Sequence, residues 1–377
     1  MSKGVSQMNW FRKSGWLALP VAFFLLFGCA APTPAASASS GSQNPPDSVA
    51  AQGKDVQTQP SGGMLRVHYL DVGQADCTYL ELPDGKTMLI DAGDLGGGPA
   101  ILDYLAQQNC EKLDYVIATH PHSDHIGGMA DIISGIEVGA FYMPKVTHTS
   151  KTFEAMVGAV AAKGLKINVA KAGKMIPAEG YALEFAAPVQ ESYDNFNNYS
   201  AVLKVTYGDT SFLFTGDAET LSEEQITTDV KSDVLKVGHH GSDTSTSAGF
   251  LKRVSPKYAV ISVGEGNSYG HPAGSTLRAL SEAGAAVYRT DRDGTVVLSS
   301  DGKTIVPGTA AVSESVPSTE ASPAQAAADP ASETVWITAS GRKYHADPGC
   351  SNIKNASEIP LSQALERGLA PCKKCFP

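Results

Sequence analysis

The chain contains the stretch Thr119-His120-Pro121-His122-Ser123-Asp124-His125-Ile126-Gly127-Gly128, which directly follows the apolar run 115–118. Such a run is typical of a buried strand, so these polar residues follow a strand end. Three imidazoles and a carboxylate close together are ligands that Zn²⁺, Mn²⁺ or iron prefer. His120 and His122, two apart in an extended segment, can point at one ion. Asp124 and His125 lie past a turn, where a second ion can bind beside the first. The stretch therefore predicts a metal site rather than a polar surface loop.

Four further motifs accompany this stretch along the chain. They read Leu70-Asp71-Val72-Gly73-Gln74-Ala75-Asp76, Leu89-Ile90-Asp91-Ala92-Gly93, Phe214-Thr215-Gly216-Asp217 and His239-His240-Gly241-Ser242. With the His-rich stretch, they give the chain a pattern that resembles the metallo-β-lactamase superfamily, a large group of mostly hydrolytic enzymes. The order of the five motifs is similar to that in one branch, the soluble hydrolase domains of ComEC-type competence proteins. Full-length members of that branch handle DNA at the bacterial surface. The resemblance covers residues 64–307.

The hydrophobic pattern predicts an α/β domain. Alternation at 65–70 and the short apolar run at 87–90 are typical of strands. Ile101, Leu102 and Leu105 have the spacing of an amphipathic helix. Strands separated by helices favour sheets with the helices packed outside them. The resemblance implies a more specific architecture, the four-layered αβ/βα sandwich built from two similar halves, with metal ions where strand ends meet.

The resemblance also implies roles for individual residues. Asp217 matches a carboxylate that bridges two metal ions, and Asp91 matches a residue that orients a ligand histidine without binding metal itself. The candidate metal ligands are His120, His122, Asp124, His125, Asp217, His239 and His271. The candidate catalytic residues are Asp124, Asp217, His240 and His271. The residues expected to line or support the same cleft are Asp71, Gln74, Asp76, Asp91 and Asn198.

Two ligand positions stay open at this point. By the order of strands, His271 matches the last ligand of many family members. By local similarity, His239 or His240 is equally placed to bind metal or to donate a proton to a leaving group. A ligand histidine found in many members before the bridging Asp is absent, since residues 195–200 read Asn-Phe-Asn-Asn-Tyr-Ser. A carboxamide is a poorer ligand than imidazole, so we expect one or two divalent ions (Zn²⁺ or Mn²⁺), one tightly and one loosely bound.

The composition is that of a globular, acidic protein. A chain of 377 residues with 42% hydrophobic residues can form one substantial domain plus smaller parts. A net charge of −10 argues against a protein that coats nucleic acid electrostatically, because such proteins are normally basic. Cleavage of a phosphodiester stays compatible with this charge, because a bound metal ion supplies local positive charge. The sequence contains no Gly-rich phosphate loop, nucleophile elbow or dinucleotide-binding fingerprint.

The N-terminus has the pattern of an export signal. Basic residues precede an apolar core at 16–27, which is too short to cross a bilayer comfortably. The core ends in Leu26-Phe27-Gly28-Cys29-Ala30, which resembles a bacterial lipoprotein processing site. Residues 1–29 are therefore predicted to be a lipoprotein-type signal peptide, with Cys29 as the lipidated first residue of the mature protein. Ordinary secretion and an uncleaved anchor are the alternatives, and all three export the chain.

Two segments rich in Ala, Ser and Pro divide the rest of the chain. Residues 30–63 and 308–333 lack hydrophobic periodicity and are predicted to be linkers. They flank the main domain, 64–307, and separate it from a C-terminal unit at 334–377. The first linker is expected to act as a tether that holds the enzyme away from the membrane.

The C-terminal unit has its own set of ligand residues: His345, Cys350, Cys372 and Cys375. One His and three Cys with a C-x-x-C spacing match a structural Zn²⁺ site. A unit this small needs a metal ion or another cross-link to be stable. The unit resembles small zinc-binding modules appended to extracellular bacterial nucleases and hydrolases. A disulfide is the competing interpretation in an oxidising environment. It would leave one cysteine unpaired and His345 unexplained.

These features predict an exported, membrane-tethered metallohydrolase that cleaves phosphodiesters, with DNA as the leading substrate. The lipidated N-terminus is its expected contact with the membrane, and no protein partner is evident. One alternative is a hydrolase of lactones, β-lactams or phosphate esters on envelope molecules. Another is a non-catalytic surface binding protein, but the intact His-rich stretch and Asp217 argue against it.

Overall fold

The structure is a computed structural model of the chain. It describes residues 63–308 of the main domain and, in the C-terminal part, 334–338, 341–346, 350, 356–360, 364, 369–372 and 374. The predicted signal peptide with Cys29, nearly all of both predicted linkers, and Cys375 lie outside the described residues. Among the helices of the described part, none has the length and hydrophobicity needed to cross a membrane.

Two mixed sheets form the main domain. The first has eight strands in the order β15-β14-β1-β2-β3-β4-β5-β6. Their bounds are β1 Leu65–Tyr69, β2 Thr78–Glu81, β3 Thr87–Ile90, β4 Lys112–Ile117, β5 Glu137–Met143, β6 Ile167–Val169, β14 Val296–Ser300 and β15 Ile305–Pro307. The second has seven strands in the order β13-β12-β11-β10-β9-β8-β7. Their bounds are β7 Met175–Ile176, β8 Ala182–Phe185, β9 Leu203–Tyr207, β10 Thr210–Phe214, β11 Val234–Lys236, β12 Tyr258–Ile261 and β13 Ala286–Arg289.

The two sheets pack face to face over the main hydrophobic core. In β9, buried and half-buried residues alternate, as expected of a strand with one face against a core. The buried aromatic rings of Tyr69 in β1 and Phe214 in β10 stack across the sheets, with centroids 6.0 Å apart. Both rings stand next to functional loops, because β1 and β10 end beside the predicted site motifs. The core therefore fixes where these loops start.

Helices cover the outer face of each sheet. Their bounds are α1 Gly98–Gln107, α2 Ser123–Ile126, α3 Met129–Gly135, α4 Lys151–Ala162, α5 Thr220–Gln225, α6 Ala248–Val254, α7 Gly274–Glu282 and α8 Thr290–Asp293. Buried residues of α1, α3 and α4 form one core with the first sheet, and those of α6 and α7 form another with the second. Helix α1 has Pro99 in its first turn and buries Ile101 and Leu105, four residues apart. The expected four-layered αβ/βα sandwich is confirmed.

The carboxyl ends of strands from both sheets meet at one edge. Strands β3, β4 and β5 run parallel in the first sheet, and β10 to β13 run parallel in the second. Strand β1 runs in the same direction as β3, because each is antiparallel to β2. Loops that follow these strands therefore emerge on the same side of the molecule. All five sequence motifs lie in such loops.

Several elements were not anticipated from the sequence. The edge strand β6 is exposed along its whole length, and β7 has only two residues, so neither has a periodic hydrophobic pattern. Asp124 and His125, expected past a turn, lie in the one-turn helix α2. A helical turn brings the two side chains to the site from the same segment.

The described C-terminal residues form two small sheets. Strands β16 (Thr334–Ile337) and β18 (Ser357–Pro360) pair antiparallel, whereas β17 (Lys343–Tyr344) and β19 (Ala370–Pro371) pair parallel. Val335, Ile337, Tyr344 and Ala364 form their own small hydrophobic core. A core of four residues is small, which agrees with a unit that depends on an added cross-link.

Candidate metal centre

One carboxylate, that of Asp217, lies at the centre of the candidate site. It follows β10 after Gly216, whose φ of +52° suits the tight turn. Its side chain is 2% exposed. Its backbone N–H donates to Oγ of Ser200 (3.0 Å), which fixes the start of the loop. Its Oδ2 faces four imidazoles from two different loops: His120, His125, His239 and His240.

Asp124, His125, Asp217 and His240 form the tighter of two groups around this carboxylate, called here the inner half-site. Each offers one ligand atom, and all four atoms lie within 4.8 Å of one another. Nε2 of His240 is 3.2 Å from Oδ2 of Asp124 and 3.7 Å from Oδ2 of Asp217. Nε2 of His125 is 3.2 Å from the same Asp217 oxygen. Two imidazoles and two carboxylates in this arrangement can hold a divalent metal ion.

His120, His122 and His239 lie on the other side of Asp217 and are called here the outer half-site. Nε2 of His120 and Nδ1 of His122 are 3.0 Å apart, so both rings present a nitrogen to the same point. Nε2 of His120 and of His239 are 3.8 and 3.7 Å from Oδ2 of Asp217. The side chain of His239 is 25% exposed, and its Nδ1 lies 3.1 Å from Oγ1 of Thr244. Two of its three members, His122 and His239, are half-buried, whereas in the inner half-site Asp124 alone is half-buried.

A buried hydrogen-bond network orients His125. Its Nδ1 lies 2.7 Å from Oδ2 of Asp91, and this leaves Nε2 facing Asp217. Asp91 also accepts hydrogen bonds from the backbone N–H (2.8 Å) and the hydroxyl (2.7 Å) of Thr119. A ligand histidine held through its second nitrogen is the usual arrangement at protein metal sites. The geometry thus agrees with the supporting role expected for Asp91.

A buried ion pair supports His240. Lys236, the last residue of β11, pairs with Asp76 from the loop after β1, and both side chains are at most 5% exposed. Oδ1 of Asp76 lies 3.4 Å from Nδ1 of His240, and the same nitrogen lies 3.0 Å from the carbonyl oxygen of Ser262. Lysine is almost never fully buried without a partner. Lys236 and Asp76 therefore compensate each other's charge next to His240.

The backbone at the site adopts the left-handed region at three non-glycine residues. The φ angles of Asp91, His239 and His240 are +59°, +50° and +54°. Each such residue costs about 1–2 kcal/mol, and conformations of this kind are retained where the surrounding structure demands them. At residues 239–240, the strain turns two consecutive imidazoles toward opposite half-sites.

The electrostatics differ between the histidines. Burial lowers the pKa of His120 and His122 below the ordinary value, which keeps both rings neutral and able to bind metal. Burial also opposes protonation of His125 and His240, but Asp217 and the neighbouring carboxylates outweigh it and raise both pKa values. The same imidazoles hold the pKa of Asp217 well below its usual value despite its burial. A cation that binds at the inner half-site therefore displaces protons from its histidines.

Two buried atoms show that the residues fit a metal ion. Nε2 of His125 and Oδ1 of Asp217 have no hydrogen-bond partner within the part of the chain that the structure describes. Buried polar atoms are nearly always satisfied, because an unpaired one costs roughly 1–3 kcal/mol. Nε2 of His125 faces the inner half-site, where a divalent cation would satisfy it, and a water held by that cation would satisfy Oδ1 of Asp217.

Some predicted residues lie at the margin of the site. Asp71 is exposed and accepts a hydrogen bond from its own turn, at Gly73. Gln74 accepts from the backbone N–H of Gly264 (3.0 Å) and so joins the loop after β1 to the loop after β12. Asn198 donates to Glu219 (3.2 Å) and accepts from Ser222 (3.2 Å). These contacts support loops around the metal centre.

His271 is separated from the inner half-site. Among the described residues, the ligand group around Asp217 includes His240 and does not include His271. The ring of His271 instead lies next to that of His239, with centroids 5.8 Å apart. The geometry therefore favours His240 as the inner ligand after β11 and leaves His271 at the rim of the cleft.

Three supporting residues were missed by the sequence reasoning. Ser200 and Ser262 act through a hydroxyl and a backbone carbonyl, which no side-chain pattern reveals. Lys236 could have been recognised from the sequence, because it is a single charged residue in the apolar run Val234-Leu235-Lys236-Val237. A charge inside a buried strand implies a buried counter-charge.

A cluster in the C-terminal part matches the second predicted metal site. One ligand atom each from His345, Cys350 and Cys372 lie within 4.8 Å of one another. The two Sγ atoms are 3.9 Å apart. Thiolates on one tetrahedral Zn²⁺ are separated by roughly 3.8 Å, given Zn–S bonds of about 2.3 Å. The fourth predicted ligand, Cys375, lies outside the described residues.

Elemental analysis of two variants tests the assignment of His240 and His271. We expect His240→Ala to lose about one equivalent of metal from the main domain, because it removes an inner ligand. His271→Ala is expected to keep the wild-type metal content. Circular dichroism of both proteins controls for folding. Loss of metal in His271→Ala with retention in His240→Ala would reverse the assignment.

Comparison of the chain with known proteins identifies its family. A family model described as the Metallo-beta-lactamase superfamily matches residues 70–265. ComE operon protein 3 of Bacillus subtilis is 30% identical over 250 residues, which cover 61% of this chain and 32% of the relative. Recombination protein 2 of Haemophilus influenzae is 32% identical, over 61% of this chain and 28% of the relative.

A third curated relative and one solved structure complete the comparison. Competence protein ComA of Neisseria gonorrhoeae is 31% identical, over 59% of this chain and 30% of the relative. The metallo-beta-lactamase fold protein YhfI from Bacillus subtilis is 14% identical with a TM-score of 0.43, over 63% of this chain and 100% of that one. The chain thus spans about a third of the length of the curated relatives. Because the family model matches more than half of the residues, the protein belongs to the metallo-beta-lactamase superfamily, and its curated relatives support the ComEC-like branch.

Proposed function

We propose that this hydrolase is a phosphodiesterase that cleaves DNA. The observation that carries the proposal is the pair of half-sites on either side of Oδ2 of Asp217, which can hold two divalent ions side by side. Paired metal sites suit phosphodiester hydrolysis, because two cations stabilise both the attacking and the leaving oxygen. Two of the relatives are named for recombination and for competence, which supports a nucleic acid as substrate.

The residues of the chain would divide the work as follows. Asp124, His125, His240 and the shared Asp217 would hold the inner ion, and His120, His122 and His239 would hold the outer one. Divalent ions bound there supply an activated water and polarise the phosphoryl oxygen. Oδ1 of Asp217, which has no hydrogen-bond partner among the described residues, can accept the proton of that water.

The leaving oxygen needs a proton from the open side of the cleft. His239 stands there, with Nδ1 held beside Thr244 and Nε2 directed at the site. It can deliver a proton to the leaving oxygen whenever it does not bind the outer ion. The role of His239 therefore depends on whether the outer half-site is filled, which agrees with one tightly and one loosely bound ion.

A nuclease assay on the full chain tests the proposal. With Mn²⁺ or Zn²⁺, we expect the wild-type protein to cut labelled single-stranded DNA, and a chelator should stop the reaction. Asp124→Asn keeps the shape of the side chain but removes a charged ligand. It should lower kcat/KM by about 100-fold or more, because removing groups that act on the transition state costs about that much. Circular dichroism and elemental analysis of the variant separate loss of metal from loss of fold.

The same assay distinguishes the alternative functions. Intact DNA together with turnover of lactones, β-lactams or phosphate monoesters would replace the phosphodiesterase proposal with the envelope-ester hydrolase. A main domain that binds no metal and turns over none of these substrates would indicate a non-catalytic binding protein.

We propose further that the C-terminal part is a small structural zinc module. The support is the cluster of His345, Cys350 and Cys372, whose sulfur separation suits two thiolates on one ion. The small core of this part gives the ion a clear role, because metal binding would contribute directly to its folding.

Zinc content tests this module. Cys372→Ser should lower bound zinc by about one equivalent and expose the module to proteolysis, because it removes a ligand. The matched control is Cys110→Ser in the main domain, whose sulfur donates to the carbonyl oxygen of Lys112 and should not affect the count. An unchanged zinc count, with a disulfide between Cys350 and Cys372 in mass spectra, would support the competing interpretation.

We also propose that the protein is exported and tethered to the membrane through Cys29. The support is the basic, apolar and Cys-containing pattern of residues 1–29. In a bacterial host, wild-type protein should label with radioactive palmitate and sediment with membranes. Cys29→Ser should do neither, because its side chain lacks the thiol that is lipidated. Membrane association of Cys29→Ser equal to wild type would indicate an uncleaved anchor instead.

A further inference from the structure

The segment that replaces the missing family histidine has an aromatic residue facing the metal centre. Phe196 lies in the 3₁₀ turn Phe196–Tyr199, and its half-buried ring meets His122 edge-on, with centroids 6.1 Å apart. The same ring contacts His148 (4.7 Å) and Tyr199 (6.1 Å). One side of the outer half-site therefore has an aromatic wall where, by the family resemblance, many superfamily members have a ligand histidine.

The asparagines of this segment fix the wall in place. The amide nitrogens of Asn195, Asn197 and Asn198 donate to the carboxylate of Glu219, at 2.9, 3.2 and 3.2 Å. Glu219 follows Asp217 by two residues, so the wall is tied to the same loop that carries the central carboxylate. Three charge-assisted hydrogen bonds therefore hold the segment against the loop of Glu219.

A second pair of aromatic rings lies next to His239, another member of the outer half-site. The ring of His271 lies next to His239, and the ring of Tyr269 stacks on His271 at 5.9 Å with an interplanar angle of 18°. Tyr269 is 46% exposed, so part of its ring is accessible to a ligand. The side chain of Asn267 pins this loop, since it accepts from the backbone N–H groups of Tyr269 and His271 and donates to the carbonyl oxygen of His271.

We propose that Phe196 and Tyr269 bind nucleobases of single-stranded DNA on either side of the phosphodiester that is cut. The inference rests on the phosphodiesterase function proposed above and names its substrate class. Phe196 lies beside His122, and Tyr269 stacks on His271, which lies beside His239, so the two rings stand next to different ligands of the outer half-site. Bases stack on aromatic side chains with little dependence on sequence.

The proposed contact with base faces favours a single strand over a duplex. Duplex-binding surfaces depend on cationic side chains that contact phosphates, and this chain has a net charge of −10. Stacking needs no net positive charge, but it needs base faces that are free. A duplex covers those faces with neighbouring base pairs, whereas a single strand exposes them.

Cleavage of three matched substrates by the full, metal-loaded chain tests the inference. They are a single-stranded oligonucleotide, its blunt duplex, and the same strand with abasic sites on both sides of one phosphodiester. Wild-type protein should prefer the ordinary strand to both others by about tenfold or more, given the contribution of a stacked base. Because the abasic strand keeps the backbone charge, this comparison isolates the bases.

Paired substitutions assign the preference to the two rings. Phe196→Leu and Tyr269→Leu keep an apolar side chain but lose the aromatic face. Each should lower the ratio of kcat/KM for the ordinary strand to that for the abasic strand by about fivefold or more, mainly through KM. The single variants Phe196→Tyr and Tyr269→Phe, which keep an aromatic ring, should retain the wild-type ratio of kcat/KM for the two strands. Val306→Ala, at an exposed edge-strand residue, is the control.

The outcomes separate this inference from the function beneath it. Equal cleavage of the ordinary and abasic strands, or a ratio unchanged in both leucine variants, would overturn the stacking inference while the phosphodiesterase function stands. No cleavage of any strand, nor of bis(p-nitrophenyl) phosphate, would overturn the proposed function itself. Thermal melting controls for folding, and if Phe196→Leu is unfolded, the exposed Tyr269→Leu decides the result.

Discussion

The buried carboxylate of Asp217 is the constraint on which the rest of the site depends. Its side chain is almost completely removed from solvent, and imidazoles from the loops after β4 and β11 face its Oδ2. Burying an anion costs several kcal/mol unless opposite charge surrounds it. Protonated histidines or bound cations can supply that charge, and unsatisfied atoms on His125 and Asp217 favour cations. Both half-sites share this one carboxylate, so its position sets the distance between them.

Residues that contact the ligands, without being ligands themselves, keep these charged side chains in position. Asp91, fixed by two hydrogen bonds from Thr119, orients His125, and the Lys236–Asp76 pair supports His240. These contacts join the loops of the first sheet to those of the second. The stacked rings of Tyr69 and Phe214 bring the two sheets together just below. The geometry of the site therefore depends on the packing of the core. A shift of either sheet would separate the ligands that come from the two sheets.

The departure from the family pattern at residues 195–200 has a structural meaning. From the sequence, the missing histidine predicts only that one metal ion is bound less tightly. The structure shows that the asparagines bind Glu219 and that Phe196 stands against His122. The ring of His271 lies beside His239, and the ring of Tyr269 stacks on it. The outer half-site thereby has aromatic rings beside two of its ligands, His122 and His239.

The sequence by itself determined the fold class, the five motifs and most of the metal-binding candidates, because polar residues after apolar strand runs have a local signature. It could not choose among His239, His240 and His271, because strand order and local similarity favour different residues, and only distances across the two sheets separate them. Strands β6 and β7 were missed because they are short or exposed. The contacts of Ser200, Ser262 and Lys236 were missed because each partner lies on a different strand or loop. Tertiary structure alone decides such pairings, since contacts between residues far apart in sequence leave no periodic pattern in either segment.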